Sequence, residues 1–477
     1  MPNSSATDVP SAAPIDRPLR SPVFWGDPLR LLPLFGFFAI MSVVQAKSPQ
    51  DGDGWRYLLN ARHILDGYFA GPDTLMFWNG PGYPLFLVPF VGLGLPMALA
   101  RLANAVFLFL AVAHFQGALR LAGIGKRSLA YAYALGILLF LHGPLLGMIM
   151  TESISVYLVC GAAWHAGAAA RGGEGSLRHT LLTGLHLGYL ALTKVFFGYV
   201  LEACLVLTIG AWVWMKLRSG GKRVTGPEVH GDRENGRADG KRGVGAEDEG
   251  DTGSGLEPAM LASRTAAWAC AAGLLLCVPW LGHTWAKTGK ANLWGNSGGF
   301  QLYYMSLPEK EYFGDWINFE ALLENPEYFR PLVGFIRETL KLDWVAQDAV
   351  FKREAIKNCR EHPGKCVLNW RANVNRMVFG YPNTRYPGAE ADLSTGNRAF
   401  IFAFPFILCL LFTVPGWLGR RSVPPWVHAC LAFALLSLGG MSLVCAIPRQ
   451  VFPMLPLLGL WMAVVAEKAM KIRGRWN

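Results

Sequence analysis

Apolar runs long enough to cross a bilayer alternate with short polar stretches along almost the whole chain. A membrane-crossing helix needs about 20 predominantly apolar residues. Ten segments approach or meet that length: about 28–46, 97–121, 128–148, 153–170, 179–193, 196–215, 259–281, 397–418, 425–446 and 450–468. Between the first two, the period from Asp53 to Gly67 is that of an amphipathic helix, and Pro81 to Leu93 forms a short apolar one. Both are too short to span, so they are expected to lie in the interface plane. The pattern predicts an all-α polytopic membrane protein of about ten transmembrane helices, with interfacial helices in the first outer loop and a small, mostly helical extracytoplasmic segment.

The polar stretches divide the chain. Residues 1–27 are rich in Ser, Pro and Ala, without the apolar core of a signal peptide, and read as a disordered cytoplasmic tail. A transmembrane core at 28–215 contains the first outer loop, 47–96. Residues 216–257 are Gly, Lys, Arg, Asp and Glu with hardly an apolar side chain, and cannot bury enough surface to order themselves. Their glycines have no strand before them or helix after them, which excludes a phosphate-cradling loop. One transmembrane helix at 258–282 then leads to an outer segment, 283–395, with amphipathic stretches at 328–341 and 345–361. The last transmembrane helices occupy 396–470, and 471–477 form a cytoplasmic tail.

Composition agrees: 52% of residues are hydrophobic, 16% are charged, and mean hydropathy is +0.28. The net charge of +11 could suggest a nucleic-acid binder, but the bases fall in short segments beside apolar runs and act as topology signals. Arg17, Arg20 and Arg30 precede the first span; Arg120, Lys126 and Arg127, then Arg171 and Arg178, then Arg420 and Arg421, and finally Lys468, Lys471, Arg473 and Arg475 follow later ones. By the positive-inside rule these mark the cytoplasmic side. Asp51, Asp53, Glu152, Lys194 and Arg449 then all fall on the outer face. Seven of nine cysteines lie in apolar runs as small hydrophobes; Cys359 and Cys366 flank a Pro-Gly turn in the outer segment, where a disulfide is expected.

Acids and bases at a membrane boundary are expensive and usually functional. Two or three acids with two bases on one face suit a reaction in which a carboxylate takes a proton from an acceptor while cations hold a departing phosphate. Each residue also has a plainer reading. Asp53 can cap the helix that starts near Trp55, Asp51 can be a solvated loop residue, and Glu152 can sit at a helix amino terminus for the dipole. Lys194 and Arg449 can snorkel to the interface. Glu202, two turns inside a span, either lines a cavity or partners another span. His63, His114 and His186 have no companion ligands at metal spacing, so no metal site is expected. Trp55, Trp78 and Tyr83 fit an interfacial aromatic belt, with sugar stacking as the alternative.

An ordered set of motifs adds detail. Asp53 is followed by Tyr57 four residues on, then by Gly80-Pro81-Gly82-Tyr83-Pro84; Thr151-Glu152 opens a later span. Gly188 to Lys194 reads Gly-Tyr-Leu-Ala-Leu-Thr-Lys, Pro279-Trp280 ends a span, Asn296 to Tyr303 form a Gly-containing run, and Arg449 precedes Pro453 and Pro456. This series resembles the dolichyl-phosphate-mannose protein mannosyltransferase-like family (glycosyltransferase family 39, in the glycosyltransferase C superfamily), which includes the lipid A aminoarabinose transferases. The resemblance implies a polyprenyl-phosphate-sugar-dependent glycosyltransferase that works with inversion at the anomeric carbon and requires no cofactor. It puts Asp53 as catalytic base with Asp51 as fallback, Glu152 as orienting acid, and Lys194 and Arg449 on donor phosphate. Tyr57, Tyr83, Glu202, His283 and Tyr303 are secondary candidates. His283-Thr284 departs from the family's Arg-Asn, and Asp53-Gly54 from the Asp-Glu of the eukaryotic mannosyltransferases. Expected partners are the lipid-linked donor, a lipid, glycan or protein acceptor, and membrane lipids, with no nucleic acid. The expected location is a bacterial inner membrane with the site facing outward. A transporter or flippase for a lipid-linked substrate is the alternative; it predicts inverted repeats and midplane charges, and the sequence has neither. A scaffold with degenerate chemistry is a third reading.

Overall fold

The computed structural model describes residues 27–48, 53–69, 75–142, 145–220, 256–317, 319–380, 395–420, 422–444 and 446–473. Among them the secondary structure is helical throughout, with no strand. Up to Thr288 the helices are α1 (Pro28–Val44), α2 (Gly54–Leu65), α3 (Gly82–Gly92), α4 (Met97–Leu121), α5 (Ser128–Leu141), α6 (Glu152–Ala169), α7 (Ser176–Thr193), α8 (Phe196–Gly220) and α9 (Leu256–Thr288). The outer segment carries α10 (Gly298–Met305), α11 (Phe319–Glu324), α12 (Arg330–Thr339), α13 (Trp344–Glu361) and α14 (Pro363–Phe379), and the chain closes with α15 (Thr395–Leu418), α16 (Pro425–Ser442) and α17 (Leu455–Arg473). Residues 1–26 of the expected 1–27 tail and most of the polar 216–257 loop lie outside the described residues.

The ten expected spans match ten helices, but five of the described ones are long and apolar enough by themselves to cross a membrane: Met97–Leu121, Phe196–Arg218, Ala259–Thr288, Pro425–Ser442 and Pro448–Lys468. The shortfall has a physical cause in α5 and α6. Helix α5 has 14 residues, about 21 Å at 1.5 Å per residue, and gives way to a 3-10 turn at Leu145–Gly147. Non-helical backbone is tolerated at membrane depth when it is buried in protein. Here it is: Asn104, wholly buried on α4, donates to the carbonyls of Leu146 and Met148 at 3.1 and 2.8 Å. Helix α6 is polar for a span because it sits at the bundle centre, out of reach of lipid, with Ser153, Ser155 and His165 buried.

Small residues set the helix spacing. A Cβ on Gly184 would lie 2.6 Å from the Ala269 carbonyl and one on Gly188 2.6 Å from that of Gly273, so α7 and α9 meet backbone to backbone. Helices α8 and α9 leave Val206, Leu207, Trp214, Leu217, Trp268 and Leu275 well exposed, a surface that only lipid accepts. The amphipathic helix and short apolar helix expected in the first outer loop appear as α2 and α3.

The segment 283–395 has its own aromatic core. Phe300, Tyr303, Tyr304, Phe329 and Phe351 are buried in it. Trp78 from the first loop joins them, stacked on Phe300 at 4.9 Å and edge-on to Trp344 at 4.9 Å. Trp78 is therefore part of a protein core, and Tyr83 is fully buried. Both were expected in the interfacial belt; of the three aromatics named for it, Trp55 is the exposed one, at 46%.

Candidate active site

The loops at one end of the bundle converge on Asp53. It occupies the N-cap position of α2 yet makes no side-chain cap hydrogen bond. Its carboxylate instead accepts from two guanidinium groups: Arg56, one turn along the same helix, and Arg449, whose Nη2 lies 2.8 Å from Oδ2 across 396 residues of sequence. Arg449 arrives on a short 3-10 turn, Pro448–Gln450, at the head of the last span.

A second ion pair stands beside the first. Glu152, the first residue of α6, is 1% exposed, and its Oε1 accepts from Lys194 Nζ at 3.1 Å. Its Oε2 is buried without a hydrogen-bond partner. Lys194 ends α7 in an extended conformation (φ −129°, ψ 97°), which breaks the helix and turns the chain into α8. Tyr57 joins the two pairs. It is buried, and its phenol is pushed above the ordinary tyrosine range by burial first, then by the charges of Asp53 and Glu152, against an opposing pull from Arg449. Thr151 hydrogen-bonds to it. Tyr83 packs edge-on to Tyr57 at 5.0 Å, and burial likewise raises its phenol. Both phenols stay protonated at neutral pH and can act as hydrogen-bond donors. Arg449 is also close enough to Glu152 for the two charges to interact.

The local sequence explains the placement. Gly80 and Gly82 press the first loop onto the end of α7: a Cβ on Gly82 would sit 2.7 Å from the Thr193 nitrogen and hydroxyl. Tyr189 donates to the Gly82 carbonyl at 2.8 Å. From the other side, Asn296 accepts from Phe77 N at 2.9 Å and donates to the Leu75 carbonyl at 2.7 Å. That clamp holds Leu75 at φ +50°, a conformation L-residues rarely adopt.

Six sequence-selected residues, Asp53, Glu152, Lys194 and Arg449 with Tyr57 and Tyr83, thus meet in one cluster. The others lie elsewhere. Asp51 is outside the described residues. Glu202 partners a loop and not another span: it accepts from Trp294 Nε1 at 2.9 Å and Asn292 Nδ2 at 3.2 Å, tying α8 to the loop before α10. His283 stacks on Trp280 at 5.9 Å, and Tyr303 is buried in the outer aromatic core. Cys359 and Cys366 are free thiols, the one hydrogen-bonded to the other across the α13–α14 turn. Arg56 was missed, although its i, i+3 spacing from Asp53 was a readable signal. Its guanidinium also lies 5.1 Å from the Trp78 ring.

Four histidines lie near one another: the His165 ring lies 5.2 Å from His186, which is 6.4 Å from His114, and His165 Nδ1 meets His179 Nδ1 at 2.8 Å. Among the described residues, however, no group of three or more His, Cys, Asp or Glu is placed to hold a metal ion.

An apolar groove of about 680 Å³ runs along α4, α5, α15 and the last span, lined by Phe115, Leu138, Leu141, Phe404, Leu455 and Met462 among others. Leu455 lies six residues after Arg449 in sequence.

No family model and no curated relative matches the chain. The chain is similar to a crystal structure of ArnT from Cupriavidus metallidurans bound to undecaprenyl phosphate, with 14% sequence identity, a TM-score of 0.36, and coverage of 93% of this chain and 78% of the other.

Proposed function

We propose that the chain is an integral membrane glycosyltransferase that moves a sugar from a polyprenyl-phosphate donor to an acceptor, with inversion and with Asp53 as general base. The observation that carries this reading is the Asp53 to Arg449 contact, 2.8 Å long and 396 residues apart in sequence, beside the buried Glu152 to Lys194 pair.

Charge supports a phosphate diester as ligand. Asp53 and Glu152 against Arg56, Lys194 and Arg449 leave the cluster one positive charge in excess (3 − 2 = +1). A sugar–phosphate–prenyl diester carries one negative charge, so it neutralises the site. The apolar groove near Leu455 offers a place for the prenyl tail. In the ligand-free arrangement both Asp53 oxygens are occupied by guanidinium groups. Donor phosphate takes Arg449 from Oδ2, and the freed oxygen becomes the base. It accepts the proton of the acceptor hydroxyl or amine while that atom attacks the anomeric carbon from the face opposite phosphate. The carbon–oxygen bond to phosphate breaks, and the electron pair leaves with polyprenyl phosphate. Lys194, Arg449 and the neutral phenols of Tyr57 and Tyr83 stabilise the charge that develops there. Glu152 orients Lys194. The positive-inside reading supports a site that faces outward, and a bacterial inner membrane is part of the same proposal.

The test is release of label from a radiolabelled polyprenyl-phosphate sugar by purified protein. Wild type turns the donor over, and Asp53→Asn, folded and monodisperse, loses at least about 100-fold, in line with removal of a general base. Undiminished turnover in Asp53→Asn overturns the assignment.

A further inference from the structure

Helix α14 is built inside out. Its buried face is polar: Asn369 donates to the Met305 and Leu307 carbonyls at 2.9 Å each, Asn373 to the carbonyls of Ser442 and Val444, and Arg376 to that of Phe313 at 3.1 Å while pairing with Asp315 at 3.3 Å. Its exposed face is largely apolar, with Arg371 and Asn375 as its polar members. Val367 is 61% exposed, Leu368 48%, Trp370 42% and Phe379 36%. A helix surrounded by water places these classes the other way round. The polar inner face is stable because each amide and the guanidinium finds fixed backbone acceptors; the outer face needs an apolar medium.

The position of the helix says which medium. Trp370 Nε1 donates to Ser442 Oγ at 3.0 Å, and Ser442 is the last residue of α16, a span by length and composition. Trp370 therefore stands at the membrane boundary, where Trp is favoured for its apolar ring and polar edge. Arg371 and Asn375, exposed on the same face, are polar groups that a helix lying in the interface plane keeps at headgroup level. We propose that the ridge of Val367, Leu368, Trp370 and Phe379 lies in the bilayer leaflet on the side of the candidate site, in contact with phospholipid. Because α14 also packs on the turn that carries Arg449, this seat sets the height of Arg449 relative to a lipid phosphate. The lipid contact rests on the polytopic fold alone and stands even where the transferase reading fails.

Full-length protein in nanodiscs of phosphatidylethanolamine and phosphatidylglycerol, with photoreactive benzoylphenylalanine in place of Val367 or, separately, Leu368, tests this. Both positions are exposed, so the substitution leaves the packed face intact. Glu338 on α12, 70% exposed, is the control position. Illumination gives phospholipid adducts by mass spectrometry at 367 and 368, at least about fivefold more than at 338. Equal or lower adduct yield at both positions overturns the proposal.

Discussion

Replacing Lys194 by Met leaves Glu152, 1% exposed, without its hydrogen-bonded counter-ion and with Arg449 as its remaining nearby cation. Removing one partner of a buried ion pair costs about 3–5 kcal/mol, most of it the penalty of an uncompensated buried charge. The reverse change is milder. In Glu152→Gln the orphaned ammonium is 20% exposed and reaches water, so the cost is that of a lost hydrogen bond, about 1 kcal/mol. The double variant Glu152→Gln/Lys194→Met removes both charges and recovers most of the stability lost in Lys194→Met. Unfolding of purified protein, titrated with denaturant in mixed micelles and followed by circular dichroism, reads all four corners of the cycle. The double variant nevertheless fails to turn over a lipid-linked sugar, which separates fold from chemistry. Equal loss in the two single variants, or a Lys194→Met protein as stable as wild type, refutes the burial argument.

Other consequences follow from the same geometry. Gly82→Ala places a methyl group 2.7 Å from the Thr193 backbone; it costs about 1–3 kcal/mol as overpacking and lowers turnover by displacing Lys194, read by the same unfolding and label-release assays. Tyr57 has a folded pKa raised above the ordinary value of 10.0, so its contribution to stability is complete below that pH and is lost as pH rises above it. Tyr57→Phe should therefore flatten the decline of stability above about pH 10, and an unchanged slope removes Tyr57 as its source. Burial first, and then the hydrogen bond with Cys359, push the Cys366 thiol up to about 12, so diamide joins Cys359 to Cys366 slowly at neutral pH and faster as pH rises; non-reducing peptide mapping detects the link, and two free thiols after alkaline treatment count against it.

What the sequence made legible was mostly periodic or electrostatic. Helices α2 and α3 came from apolar spacing and length. The common side of Asp53, Glu152, Lys194 and Arg449 came from the distribution of Lys and Arg. What it hid were contacts between segments far apart in the chain. Nothing local says that Asn296 clamps Leu75 and Phe77 or that Trp78 enters the core of a segment more than 200 residues on. Nor does composition reveal that α14 turns its asparagines inward, since the period is the same whichever face is buried. The span count was less secure for a related reason: α6, shielded from lipid by its neighbours, has no need of a uniformly apolar sequence. Asp53 shows the same limit at one residue. Its spacing fits a helix cap, and only the arrival of Arg449 from the far end of the chain shows where its carboxylate is directed.

The central claim is that Asp53 holds Arg449 until a lipid phosphate takes its place. Equilibrium binding of polyprenyl phosphate to protein in nanodiscs, by native mass spectrometry, measures that competition directly. Arg449→Gln should weaken binding by about tenfold or more, equivalent to one charge-assisted contact of about 1.4 kcal/mol or above, while Asp53→Asn should tighten it by freeing the guanidinium. Binding that weakens in Asp53→Asn, or that ignores Arg449→Gln, contradicts the account.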